Sequence, residues 1–243
     1  MEGAELLGAL MEAATRKAAG EEMDREIGRI MDKLQPHHLG LTLPAAHPES
    51  DSDHIVRSQI VYSTGDAHEL CIFLFPAGCG IPLHDHPGMS VFSKVLYGSL
   101  SLQAFDWEEP LEPDELNSLT TECNRLEAGP RANDHTSSWR RAARQVADTI
   151  LTPEAPTFCL RPRFANIHRF TATSACAVVD LLLPPYDERS GRDCHYLRSV
   201  TESSGGGMVA LEAAAAPPDF VIQGAPYRGP RPRTRGSGSS RPA

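Results

Sequence analysis

From residue 54 to residue 107 the chain breaks into short apolar segments, SQIVYST, ELCIFLFPAG, IPLHDHPG, SVFSKVLYG and SLSLQAFDW, most of them closed by Gly or Pro. Segments this short and this rich in Val, Ile, Leu and Phe read as closely spaced strands. The rhythm resumes at 149–152, 157–161, 166–171 and 175–183. About nine short strands with no long helix between them favour a mainly β domain, a double-sheet jelly roll or small barrel. Gly (19) and Pro (20) together make up about a sixth of the 243 residues, as a turn-rich fold requires.

The flanks read differently. Residues 4–19 and 22–35 place Leu6, Leu7, Leu10, Met11 and Ala14, then Met23, Ile27, Ile30, Met31 and Leu34, at helical spacing. Gly20 breaks the pattern and Pro36 ends it, so residues 1–40 are expected to form two amphipathic helices packed on the flank of the main domain. Residues 41–53 read as a polar linker and 54–200 as the main domain. Within it 108–149 is charged, and GPRANDHTSSWRRAARQ (129–145) has neither a strand nor a helix period, which reads as a polar surface insertion. Residues 201–243 are rich in Ala, Gly and Arg and are expected to be a flexible tail.

The sharpest chemical feature is Gly78-x5-His84-Asp85-His86-x11-Gly98. Two His at i and i+2 of a strand project to one face, so both imidazoles can reach one ion, while Asp85 points the other way. The spacing resembles the first cupin motif, G-x5-H-x-H-x3–4-E-x6-G, and with it the double-stranded β-helix barrel. The motif's Glu is missing: the position holds Val91 or, at the shorter spacing, Ser90. His168, in Asn166-Ile167-His168-Arg169-Phe170, stands where a second cupin motif would place its His and is the candidate third ligand. His37, His38, His47, His54, His68 and His135 fall in linkers or beside charges and read as solvated. Three neutral ligands leave the ion's charge uncompensated and positions open. On zinc that suits a hydroxide generator, and on Fe(II) an anionic chelating substrate such as a thiolate, with O2.

Charge and cysteine content exclude other classes. The net charge is −9, yet no acidic residue follows Asp219, and Arg228, Arg231, Arg233, Arg235 and Arg241 do, so residues 1–219 carry −14 and the remainder +5. An acidic body is a poor nucleic-acid binder. No run of 18 apolar residues and no basic leader occurs, which points to a cytoplasmic or nuclear protein without a membrane partner. The six Cys form no CxxC pair and read as reduced, mostly as core residues. No GxGxxG or P-loop suggests an organic cofactor. A monomer is expected.

Residues 71–107, with NIHRF (166–170), AVVDLLLPPY (177–186) and GRDCHYL (191–197), resemble the plant cysteine oxidases and their animal relative, cysteamine (2-aminoethanethiol) dioxygenase. That resemblance implies a cupin-fold thiol dioxygenase with one Fe(II) per chain held by His84, His86 and His168. It also implies substrates that are proteins with an N-terminal Cys, oxidised to the sulfinic acid with O2 as an oxygen-sensing input to N-degron degradation. Phe164-Ala165 depart from the Gly pair expected before NIHRF. Asp180 lies in an apolar run, where a carboxylate is costly unless used. If 171–175 is a hairpin centred on Ser174, it stands opposite His168. The resemblance marks Asp180 and Tyr186 as active-site residues. Cys194 and Tyr196 can share a strand face, and in some relatives a Cys and a Tyr are oxidatively joined there. A small aminothiol such as cysteamine or free cysteine, a zinc hydrolase site and a non-catalytic cupin module remain the alternatives.

Overall fold

A computed structural model describes residues 2–16, 21–43, 55–129, 137–200 and 207–233. The domain is two layered β-sheets. The first orders its strands β12 (Ile222–Gly224), β1 (Val56–Ser63), β2 (Glu69–Phe75), β9 (Cys176–Leu183), β4 (Ser90–Tyr97) and β7 (Phe158–Leu160). The second closes on itself as β10 (Tyr196–Ser199), β11 (Met208–Ala214), β6 (Arg140–Leu151), β5 (Leu100–Trp107), β8 (Ile167–Ala172) and β3 (Gly80–Asp85). This is the mainly β architecture, two sheets with one closed as a small barrel, that the short strands and their turns foretold.

Alternation along the strands sorts the side chains into three cores. Even positions of β9 (Cys176, Val178, Leu182) join Val91 and Val95 of β4, Leu100, Leu102 and Ala104 of β5, and Phe170 and Ala172 of β8 in the interior between the sheets. Odd positions (Ala177, Val179, Leu181) face outward beneath α1 (Gly3–Thr15) and α2 (Glu21–Met31), whose Leu6, Leu7, Leu10, Met11, Ile27 and Met31 bury against them. The helices thus sit on the flank as the apolar spacing requires. A third core, with Phe105, Ile167, Leu197, Val209 and Leu211, receives Leu119 and Cys123 from α3 (Pro113–Glu127). Among the described residues no helix is long and apolar enough to cross a membrane.

Two sequence expectations are corrected here. The stretch 129–145, read as a polar surface insertion, is in part barrel: residues 140–151 are one strand paired with both β5 and β11, and ahead of it residues 113–127 are a helix opened by Pro113 and a capping box between Glu112 and Glu115. Its charges misled because Arg140, Arg141 and Arg144 reach out to Glu212, Glu115 and Glu108 while Ala143 points in. Nor is everything after residue 200 a flexible tail. Strand β11 is central to the barrel, and Tyr227 is buried in the helix-covered core with its hydroxyl on Pro230 O at 2.9 Å. The linker at 44–53 and the last ten residues lie outside the described residues, as does Gly20.

The motif glycines have a conformational reason. Gly78 and Gly98 both adopt positive φ, +82° and +75°, and a Cβ on Gly98 would strike the carbonyl of Ala175. Ala165 also sits in the left-handed region at φ +53°. That is where a Gly was expected, and the conformation costs an L-residue about 1–2 kcal/mol, offset in part by burial of the methyl group.

Candidate metal centre

The three sequence-chosen histidines converge. His84 on β3 pairs directly with His168 on β8, and His168 pairs on its other side with Ala104 of β5. Partners directly opposite share a face, so both rings enter the interior that Phe170 and Ala104 also face. Regular alternation would have set Ile81 and His84 on opposite faces, because they are three positions apart, an odd offset. A register shift between them turns His84 inward, the re-aiming that a β-bulge performs. His86 lies just past the strand end. Its backbone N–H donates to Asn166 Oδ1 at 3.1 Å and its carbonyl accepts from Asn166 Nδ2 at 2.8 Å, a two-point clamp by one side chain.

One potential ligand atom from each imidazole lies within 4.8 Å of the others. His84 Nδ1 is 2.8 Å from Pro82 O; a carbonyl only accepts, so Nδ1 carries the hydrogen and Nε2 keeps its lone pair. Both ring nitrogens of His86 and Nδ1 of His168 are buried with no hydrogen-bond partner among the described residues. Burial lowers the pKa of all three rings, and for His86 the nearby His84 and His168 add to it, which keeps them neutral. Buried, neutral imidazoles, each with a ring nitrogen left for a ligand and clustered together, are what a divalent ion needs. The residues present therefore fit a metal, held by nitrogen donors alone. Val91, the position of the missing carboxylate, is buried in the same interior.

Asp180 is not across a hairpin from His168. Strands β8 and β9 belong to different sheets, and Asp180 pairs instead with Cys71 of β2 and Ser93 of β4. The hairpin reading failed because the 172–176 connection crosses between layers. Asp180 still points into the interior, flanked on its face by Val178 and Leu182. Burial raises its pKa to about 7, opposed by the Ser93 hydroxyl.

Tyr186 stacks on His86, with ring centroids 5.1 Å apart, and its hydroxyl donates to Asp85 O at 2.7 Å. The half-buried Cys194 thiol lies within reach of the hydroxyls of Tyr186 and Tyr196, and burial first, then the charge of Asp85, pushes its pKa up to about 12. Tyr196 pairs through its backbone with His84, its ring 6.5 Å away. The structure thus brings Tyr186, Cys194 and Tyr196 beside the histidine cluster.

Some residues escaped the sequence. His195 and Asp85 form a fully buried pair, and Asn166 orients His86. Asn166 was visible only as a neighbour of His168, and His195 had no local signal because its partner is 110 residues away. Among the solvated assignments His68 is corrected: it is 2% exposed and stacks on Tyr62 at 5.7 Å. His47, His54 and His135 lie outside the described residues. Arg163 and Arg169 are exposed.

Comparison with known proteins gives a consistent result. The sequence pattern of the PCO_ADO family matches residues 30–231. Plant cysteine oxidase 1 of Arabidopsis thaliana is 30% identical over 233 residues, covering 87% of this chain and 72% of its own. The 2-aminoethanethiol dioxygenase of Mus musculus is 31% identical over 198 residues, 70% of this chain and 69% of its own. Among solved structures, KdgF from Halomonas sp. shares 15% identity with a TM-score of 0.35, over 60% of this chain and 94% of that one.

Proposed function

Since this chain belongs to the PCO_ADO family and is a thiol dioxygenase, we propose that it uses Fe(II) to oxidise an N-terminal cysteine of protein substrates to the sulfinic acid with O2. The observation that carries this reading is the buried all-nitrogen cluster of His84, His86 and His168, with no carboxylate among the clustered ligand groups. Such a donor set leaves the ion's positive charge to be matched by the substrate, and a thiolate does so. Bound by the three imidazoles, iron would supply Lewis acidity toward the thiolate and a redox partner for O2.

The chain's own groups define the rest. Thiolate plus O2 gives sulfinate, a four-electron oxidation that uses all four oxidising equivalents of one O2, so no reductant or organic cosubstrate enters. Asp180, a buried carboxylate with a pKa near neutrality, is suited to accept the proton of the arriving thiol. Tyr186 holds the His86 ring by stacking and the intervening loop by its hydroxyl. Cys194 lies within hydrogen-bond reach of Tyr196, the pair proposed as an oxidisable cross-link.

Free aminothiols and N-terminal Cys present the same thiol and amine two carbons apart, so discrimination must come from beyond them. Free cysteine adds a carboxylate, which needs a cation. Arg163 and Arg169, the arginines nearest His168 in sequence, are exposed, and Arg169 is on the strand face away from the imidazoles. A peptide replaces that carboxylate with a neutral amide. Oxygen-dependent sulfinylation of such termini would make substrate lifetime depend on O2, in the cytoplasm or nucleus.

The test is anaerobic Fe(II) loading, then O2 and mass spectrometry of a Cys-initiated peptide. The peptide should gain two oxygen atoms at its N-terminus, several-fold faster than free cysteine at equal concentration, and an N-acetylated version should be inert. Equal rates, or oxidation of the acetylated peptide, would move the protein to the small-thiol class.

A further inference from the structure

Resting on that metal reading, we infer that His195 is a positioning residue for the metal centre, acting through Asp85, the residue between the paired imidazoles His84 and His86. Both Asp85 and His195 are buried. The backbone N–H of His195 donates to Asp85 Oδ1 at 2.9 Å, and its ring Nδ1 lies 3.0 Å from both oxygens of the same carboxylate, where it donates. The Asp85 N–H donates back to the His195 carbonyl at 3.2 Å, and the Asp85 carbonyl accepts from Tyr186. Every polar group of Asp85 is therefore engaged. With side chain and both peptide groups tied, the backbone that aims His84 and His86 has little freedom left.

His195 is gripped from the far side as well. Its Nε2 is 2.8 Å from Thr120 Oγ1 on α3, and that hydroxyl is 3.0 Å from Leu116 O. One turn along α3, the Cys123 thiol is 3.7 Å from the carbonyl of Tyr196, whose residue pairs with His84. Segment 195–196 thus stitches α3 to the strand that carries the first imidazole. An apolar side chain would satisfy packing alone at this depth. Two ring nitrogens directed at Asp85 and Thr120 serve orientation.

The test measures metal binding, which needs no substrate. His195→Leu removes both contacts, and His195→Asn keeps an amide donor near the Nδ1 position. Affinity of the metal-free protein for Fe(II) is read by anaerobic chelator competition, the site's shape by its Co(II) absorption spectrum, and thermal unfolding alongside. His195→Leu should weaken Fe(II) about tenfold or more and shift the Co(II) bands, and His195→Asn should recover most of both. The double variant Asp85→Asn/His195→Leu should bind no more weakly than His195→Leu by itself, because the two act as one unit.

Unchanged affinity and spectrum with a lowered melting temperature would overturn the inference, as would equal losses in Leu and Asn variants. Should His195→Leu not fold, Thr120→Val cuts only the outer contact and should still shift the Co(II) spectrum; an unaltered spectrum there counts against the proposal. His84→Ala serves as control. Full metal occupancy in that variant would remove the metal reading itself, a failure separate from that of His195.

Discussion

His84 and Tyr196 form the backbone pair through which β3 and β10 close the six-stranded barrel, so a candidate metal-binding imidazole stands on the seam of the fold. The ladder does not continue to residue 82, which is Pro82 and has no N–H to offer. Strand β10 is held on its other edge by β11, and β11 by β6.

Ending the chain at residue 207 should therefore abolish both the fold and metal binding, since it strips β11 from the barrel and leaves Leu197 and Ala143 without their strand partners Ala213 and Val209. A milder truncation after Gly224, which removes the buried Tyr227, should lower stability by about 2–4 kcal/mol while leaving the barrel strands in place. Denaturant unfolding of the two truncations checks this, and a stable chain ending at 207 would contradict it.

Single Ala substitutions of His84, His86 and His168 should each reduce Fe(II) affinity by about a hundredfold or more, because two imidazoles retain a labile divalent ion poorly. Metal analysis after anaerobic loading and desalting reads this directly. The His86 and His168 variants should at the same time be no less stable than the metal-free parent, as each relieves buried, unpartnered ring nitrogens.

Asp180→Asn should lose most thiol oxidation yet gain stability in the metal-free protein. Burial lifts the carboxyl from an ordinary 3.8 to about 7. Below about pH 4 both folded and unfolded states hold the proton and the burial carries no ionisation cost. Between about 4 and 7 the unfolded state releases a proton that the folded state keeps, so the parent loses stability as pH rises through this window. The stability gain of Asp180→Asn should accordingly grow from pH 4 to pH 7 and then level off. A gain independent of pH in thermal scans would show that Asp180 ionises freely in the fold.

Tyr186→Phe keeps the ring on His86 and deletes the hydroxyl that holds Asp85 O. Stability should fall by about 1 kcal/mol, the usual worth of one hydrogen bond. Turnover should fall further than that loss explains, with the saturating rate more affected than the half-saturating peptide concentration. Steady-state O2 consumption against peptide concentration separates the two, and a parent-like rate would leave Tyr186 a structural residue only.

What the sequence determined by itself was local or periodic. Short strands between Gly and Pro give the β architecture, Leu6 to Met31 give two flank helices, and the His-x-His spacing with its bounding glycines gives two of three imidazoles. Each signal lies within one or two segments, where backbone geometry dictates which side chains share a face. What only the tertiary structure decided depends on which strands become neighbours. Alternation along β6 was hidden by arginines whose partners, Glu108, Glu115 and Glu212, come from β11 and from the segments before and within α3. The bulge that turns His84 inward is a property of the β3–β8 register. Asp180 reached the interior from the opposite sheet, and His195 found Asp85 across 110 residues. Pairing at that range is set by closure of the barrel, in which each strand's partner is selected by the packing of all the others, and no window of the sequence contains that information.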